Sequence, residues 1–101
     1  MSEAQEARRD GAKLQKNSGR GPIQKGDATL GDFLIDYKES AKSFTLSLGI
    51  LAKLNKDAIG AGNKIGVLKV ILGEDVHKQR VWVVPEYLLL DYIALKGAED
   101  E

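Results

Sequence analysis

Two aspartates and a lysine stand within twelve positions of one another: Asp27 in Lys25-Gly26-Asp27, and Asp36 and Lys38 in Phe33-Leu34-Ile35-Asp36-Tyr37-Lys38. Hard carboxylate oxygens hold Mg²⁺ or Mn²⁺, and an ion so held acidifies a bound water and neutralises charge on a phosphate. An ammonium beside it orients that water or stabilises the charge that develops. These residue types suit metal-dependent hydrolysis of a phosphodiester, provided the chain brings them to one point.

Spacing decides which carboxylates can meet. Asp32 and Asp36 are four apart, about 13 Å along an extended strand, whereas two ligands of one Mg²⁺ lie within about 4 Å of each other. Those two cannot share an ion. A turn over Leu30-Gly31-Asp32-Phe33, however, sets residue 27 opposite residue 36, with Cβ atoms about 5 Å apart. Lys38, two beyond Asp36, projects from the same face. Asp32 is then a turn residue. The alternative is a cross-strand Asp–Lys salt bridge on an exposed face, and the residues alone leave both readings open.

The elements around this point follow from local patterns. Residues 23–29 and 33–37 read as two strands of a hairpin about Gly31-Asp32, a dipeptide suited to tight turns. Residues 2–16 are rich in helix formers but poor in apolar positions, so a helix there is marginal unless it docks. Asn17-Ser18-Gly19-Arg20-Gly21-Pro22 breaks the chain. After the hairpin, Leu48, Leu51, Ala52, Asn55, Ala58, Ile59 and Gly62 recur at helical spacing, with Ser47 as N-cap and Gly60-Ala61-Gly62 as the end. Residues 67–72 (VLKVIL) and 81–84 (VWVV) read as strands buried on both faces. Pro85 opens a last helix over residues 85–95, with Gly97 beyond its end. Leu88, Leu89 and Leu90 make an apolar run wider than a one-sided stripe, which a core position explains in part and a dimer contact for the remainder. The order predicts an α/β fold, a small mixed sheet flanked by helices.

Length and composition set the bounds. The 101 residues suffice for one domain, expected as an N-terminal helix or flexible arm over 1–16, a folded domain over 17–97 and an acidic tail over 98–101. The absence of cysteine excludes disulfides, thiolate zinc sites and cysteine nucleophiles. The apolar runs are too short to span a bilayer and the N-terminus has no apolar leader, so a soluble, cytoplasmic protein is expected. Formal net charge is zero, yet Arg8, Arg9, Lys13, Lys16, Arg20 and Lys25 face a single acid, Asp10, in that segment. Such a stretch suits a polyanion, with a solvated surface as the alternative.

The residues Asn17-Ser18-Gly19-Arg20-Gly21, then Lys25-Gly26-Asp27, then Phe33 to Lys38 resemble the PD-(D/E)XK nuclease superfamily, most nearly its small phage-type nucleases and Holliday junction resolvase-like proteins. The resemblance runs over residues 17–72. It implies a restriction-endonuclease-like αβββαβ core and a Mg²⁺- or Mn²⁺-dependent DNA endonuclease acting on branched DNA as a homodimer. It places Asp27 and Asp36 as catalytic metal ligands and Lys38 as the catalytic lysine. It also implies a glutamate from the first helix, Glu6 or else Glu3, as a further ligand. Two departures stand out: Gly26 replaces the motif's proline, and Asp36 replaces the commoner glutamate. Ser18, Arg20, Lys25 and Lys42 are the candidate phosphate contacts, with loop-shaping or solvation as the plainer role. Lys53 and Lys56 read as a solvated helix face, His77 as a turn residue, and Trp82 and Tyr87 as core or interface. A non-catalytic module of the same fold, binding nucleic acid or protein, is the other function these residues allow.

Overall fold

The computed structural model describes residues 3–14 and 27–100. In chain order these form α1 (Glu3–Arg9), β1 (Lys13–Leu14), β2 (Asp27–Leu30), β3 (Phe33–Ser40), α2 (Leu48–Gly60), β4 (Ile65–Leu72), a 3-10 turn (Asp75–His77), β5 (Gln79–Val83) and α3 (Glu86–Asp100). The fold is α/β: among the described residues there is one five-stranded mixed sheet in the order β1-β2-β3-β4-β5, with three helices. Among the described strands only the β3–β4 pair is parallel, joined through α2; the other neighbours are antiparallel.

The β2–β3 hairpin closes as its sequence directs. Gly31 takes φ +57°, a conformation costly for a residue with a Cβ, and Leu30 pairs with Phe33 across the two-residue turn. The backbone N–H of Ile65 donates to Asp32 O at 2.8 Å and Lys64 Nζ to Gly31 O at 2.9 Å, so the turn is braced by the start of β4.

Alternation along β3 divides the sheet into two faces. Ala28, Ile35, Tyr37, Val67 and Ile71 form one apolar cluster, closed by Ala7 and Ala12 of the α1 unit. Leu68 and Val70 face the other way and pack with Leu54 of α2. Helix α1 is shorter than the 2–16 expected from composition. Gly11, at φ +78°, ends it: the N–H of Gly11 donates to Arg8 O and that of Ala12 to Ala7 O, the paired bonds of a Schellman cap. The chain then turns into β1.

On the α1 face a lysine is buried in the apolar strand β4. Lys69 is 2% exposed, and its Nζ lies 3.0 Å from Glu6 Oε1 and 2.8 Å from Asp10 Oδ2. Arg80 of β5 donates to Glu6 through Nε at 2.7 Å, and Tyr37 Oη donates to Asp10 Oδ2 at 3.0 Å. The Arg80 hydrogen bond, opposed by burial and helped by Lys69, holds the Glu6 carboxyl down at about 2.

Three expectations are corrected here. The buried line of α2 is Leu54 and Ala58, while Leu48 and Ile59 are 82% and 64% exposed. The helix rotates because Leu54 seats against Gly66: a Cβ there would lie 2.8 Å from Leu54 Cγ and 3.1 Å from its carbonyl oxygen. Strand β5 is an edge strand and not a doubly buried one, with Val81 and Trp82 about half exposed. Gly97 lies within α3, which continues to Asp100, because no positive φ develops there to stop it.

Two outcomes follow. Gly66→Ala should lower stability by about 1–3 kcal/mol in urea unfolding, since the added methyl must displace α2 backbone. Glu6→Gln should cost about 3–5 kcal/mol, because it leaves Lys69 and Arg80 short of a buried counter-charge. Glu6 has a folded pKa below its unfolded value, so its stabilisation is complete above about pH 4.5 and lost as pH falls toward about 2. An acid-unfolding titration should therefore be flatter over that window in Glu6→Gln than in the wild type.

Candidate active site

The hairpin register sets Asp27 directly opposite Asp36. Both lie on the α2 face, since Ala28 and Ile35 point into the α1-side cluster. Asp27 is 6% exposed and Asp36 only slightly more accessible, with 14% of its side chain open. Lys38, two residues along the same face, brings Nζ to 3.4 Å from Asp36 Oδ2. The three residues expected to converge do converge, and Asp32 stays in the turn.

The charge balance at this point is poor. Burial, reinforced by the charge of Asp36, pushes the Asp27 carboxyl up to about 6. Burial also raises Asp36, opposed chiefly by Lys38. Two carboxylates thus share a desolvated corner with one ammonium at ion-pair distance. Among the described residues, no group of three His, Cys, Asp or Glu side chains is arranged to hold a metal.

Glu6 does not join them. Its carboxylate is on the opposite face of the sheet, bound to Lys69 and Arg80, so the expectation that it completes the ligand set is corrected. Glu3, the alternative, is the α1 carboxylate whose surroundings include the site. Burial raises its pKa, the charges of Lys38 and Asp36 both act on it, and the Glu39 backbone N–H bonds to it.

Helix α2 contributes an ion pair, with Lys53 on the exposed helix surface expected of it. Lys53 Nζ lies 2.7 Å from Asp57 Oδ2, and the charges of both act on Asp27 and Asp36. The signal was in the sequence: Lys53 and Asp57 each precede a buried residue, Leu54 and Ala58, so they flank the line that faces the sheet. Lys42 sits exposed in the bend after β3, and Lys56 is exposed on α2. Ser18, Arg20 and Lys25 lie outside the described residues, as does Gly26. His77 is exposed in the 3-10 turn.

Comparison of the chain with protein-family models, with curated proteins and with solved structures finds no match.

A buried carboxylate with a raised pKa destabilises the fold once it ionises. The folded pKa of Asp27 lies above its unfolded value of 3.8, so the cost is absent near pH 4 and complete above about pH 6. In metal-free buffer at pH 8, Asp27→Asn should raise stability by about 1–3 kcal/mol in urea unfolding and should flatten the fall in stability between pH 4 and pH 7.

Proposed function

We propose that this chain is a metal-dependent DNA endonuclease with a restriction-endonuclease-like core, acting on branched DNA in the manner of a Holliday junction resolvase. The observation that carries this reading is the hairpin register, which opposes Asp27 to Asp36 and sets Lys38 beside Asp36 on one face. The element order α1-β1-β2-β3-α2-β4 supports the expected αβββαβ core.

The donor set fits a hard divalent ion. It offers only oxygen, and it gathers two desolvated carboxylates that repel each other. Mg²⁺ commonly binds through one or two carboxylates, keeping waters and substrate phosphate for its other positions, and Mn²⁺ accepts the same ligands. Asp27 and Asp36 would hold the ion, and Glu3 lies within electrostatic reach of Asp36. When bound, such an ion supplies an acidified water and charge neutralisation at the scissile phosphate.

The chain's own residues do the rest. Lys38, held by Asp36, presents an ammonium beside the carboxylates, where it would orient an attacking water or stabilise charge developing on a phosphate. The low exposure of Asp27 keeps bulk water from screening that charge. Lys53 and Lys56 on α2, with Lys42 after β3, offer cations on exposed surface for the phosphate backbone.

The test is cleavage of a labelled four-way junction beside matched linear duplex, with Mg²⁺, Mn²⁺ or EDTA. Asp27→Asn and Asp36→Asn should each lower the metal-dependent rate by at least about 1000-fold, and Lys38→Met by about 100-fold or more. Independently of turnover, Mn²⁺ should raise the melting temperature of the wild type at pH 8 and leave that of Asp36→Asn unchanged. Undiminished cleavage by either asparagine variant rules the mechanism out. A folded wild type that binds the junction and cleaves no DNA with either metal assigns the chain to the non-catalytic alternative.

A further inference from the structure

The aspartate pair belongs to a row that crosses the sheet: Asp27 stands opposite Asp36, and Asp36 beside Leu68 of β4. Leu68 packs with Leu54 on the α2 face, and Leu54 seats against Gly66 of the same strand. Helix α2 therefore lies over that row, next to the carboxylates. Lys53 and Asp57 are one helical turn apart and each precedes a buried residue, Leu54 and Ala58, so both stand on one edge of the helix. That edge is the one toward the hairpin, because the charges of both reach Asp27 and Asp36.

Lys53 and Lys38 flank the pair from different elements. Lys38 comes from β3 and lies 3.4 Å from Asp36 Oδ2. Lys53 comes from α2, and it offsets the charge of Asp27 more than Lys38 does. Its side chain is 68% exposed, so the ammonium is open to a ligand that approaches the pair from solvent.

Helix stability does not account for the Lys53–Asp57 pair. An i,i+4 pair supports a helix best with the acid before the base, and here the base comes first. Asp57 also falls in the last turn of α2, where the helix dipole disfavours a negative charge. Its carboxylate adds to the crowding of negative charge around Asp27 and Asp36. What the arrangement does achieve is to hold Lys53 Nζ, 2.7 Å from Asp57 Oδ2, on a flexible stem that would otherwise turn freely into solvent.

We infer that Lys53 is a second cation of the site, contacting the phosphate from the Asp27 side, and that Asp57 is the residue that positions it. This rests on the catalytic reading and adds to it: the phosphodiester is held between two ammoniums, Lys38 on β3 and Lys53 on α2. A cation so placed favours the phosphate and opposes a metal ion at the same carboxylates. Its removal therefore has two effects of opposite sign, which the loss of a merely structural residue does not produce.

Lys53→Met tests this, with metal binding read from the Mn²⁺-dependent melting temperature at low salt and cleavage read on the labelled junction. The variant should bind Mn²⁺ about 3–10-fold more tightly, a gain that fades at high salt. Its kcat/KM should fall by about 10–100-fold, and Lys53→Arg should restore most of the loss. Asp57→Asn should lower kcat/KM by about 3–10-fold in the wild type and by little in the Lys53→Met background, as a residue that acts through Lys53 must. Wild-type cleavage with Lys53→Met unchanged in both Mn²⁺ affinity and kcat/KM overturns the inference and leaves the catalytic reading standing. So does a Lys53→Met variant that loses cleavage and Mn²⁺ affinity together, the mark of a damaged site. A folded wild type that binds no Mn²⁺ and cleaves neither junction nor duplex overturns the catalytic reading, and this inference with it.

Discussion

The ammonium of Lys69 sits in the middle of an otherwise apolar strand, and the α1 half of the molecule is arranged around it. A buried cation without counter-charge is far too costly for a chain of this size to carry. Glu6 and Asp10 supply that charge from the far end of the sequence, which places α1 over β3 and β4. Arg80 from β5 donates to both Glu6 oxygens, and Tyr37 from β3 donates to Asp10 Oδ2, which it shares with the ammonium. The ammonium also lies 5.4 Å from the centre of the Trp82 ring, a cation–π contact. Three strands and one helix are therefore pinned through one group.

With α1 committed to that face, the other is left to α2 and the hairpin carboxylates, and the two faces differ in charge balance. Glu6, held by Lys69 and Arg80, titrates well below an ordinary carboxyl. Asp27, buried against Asp36, titrates well above one. The same residue types are thus stabilised as anions on one side and destabilised on the other. Structural ion pairing explains the first. The second follows from burial and from the like charge of the facing carboxylate, which one ammonium only partly offsets.

The hairpin was legible because it is local. Gly31 at the turn, the alternation of Ile35 and Tyr37 with Asp36 and Lys38, and the two-residue loop together specify which residue stands opposite Asp36. The Ser47 cap is local too: its Oγ accepts from the Ile50 N–H at 3.2 Å. Other features depend on neighbours that a pattern does not name. The rotation of α2 follows from Gly66, which admits Leu54 to the sheet. Glu6 and Glu3 share one short helix and the same residue type, yet Lys69, sixty-three residues from Glu6, decides which of them is free of the α1-side network.

What the sequence determined by itself was the chemistry of the hairpin: its turn, its register, and hence the meeting of Asp27, Asp36 and Lys38. These depend on backbone preferences over a dozen residues. The tertiary structure decided where each element faces. It made β5 an edge and left α3 exposed, although both read as apolar runs, because burial depends on what packs against a segment and not on its composition. It also sent the two helix glutamates to different surroundings, because a buried ammonium on a distant strand claims the carboxylate that reaches it.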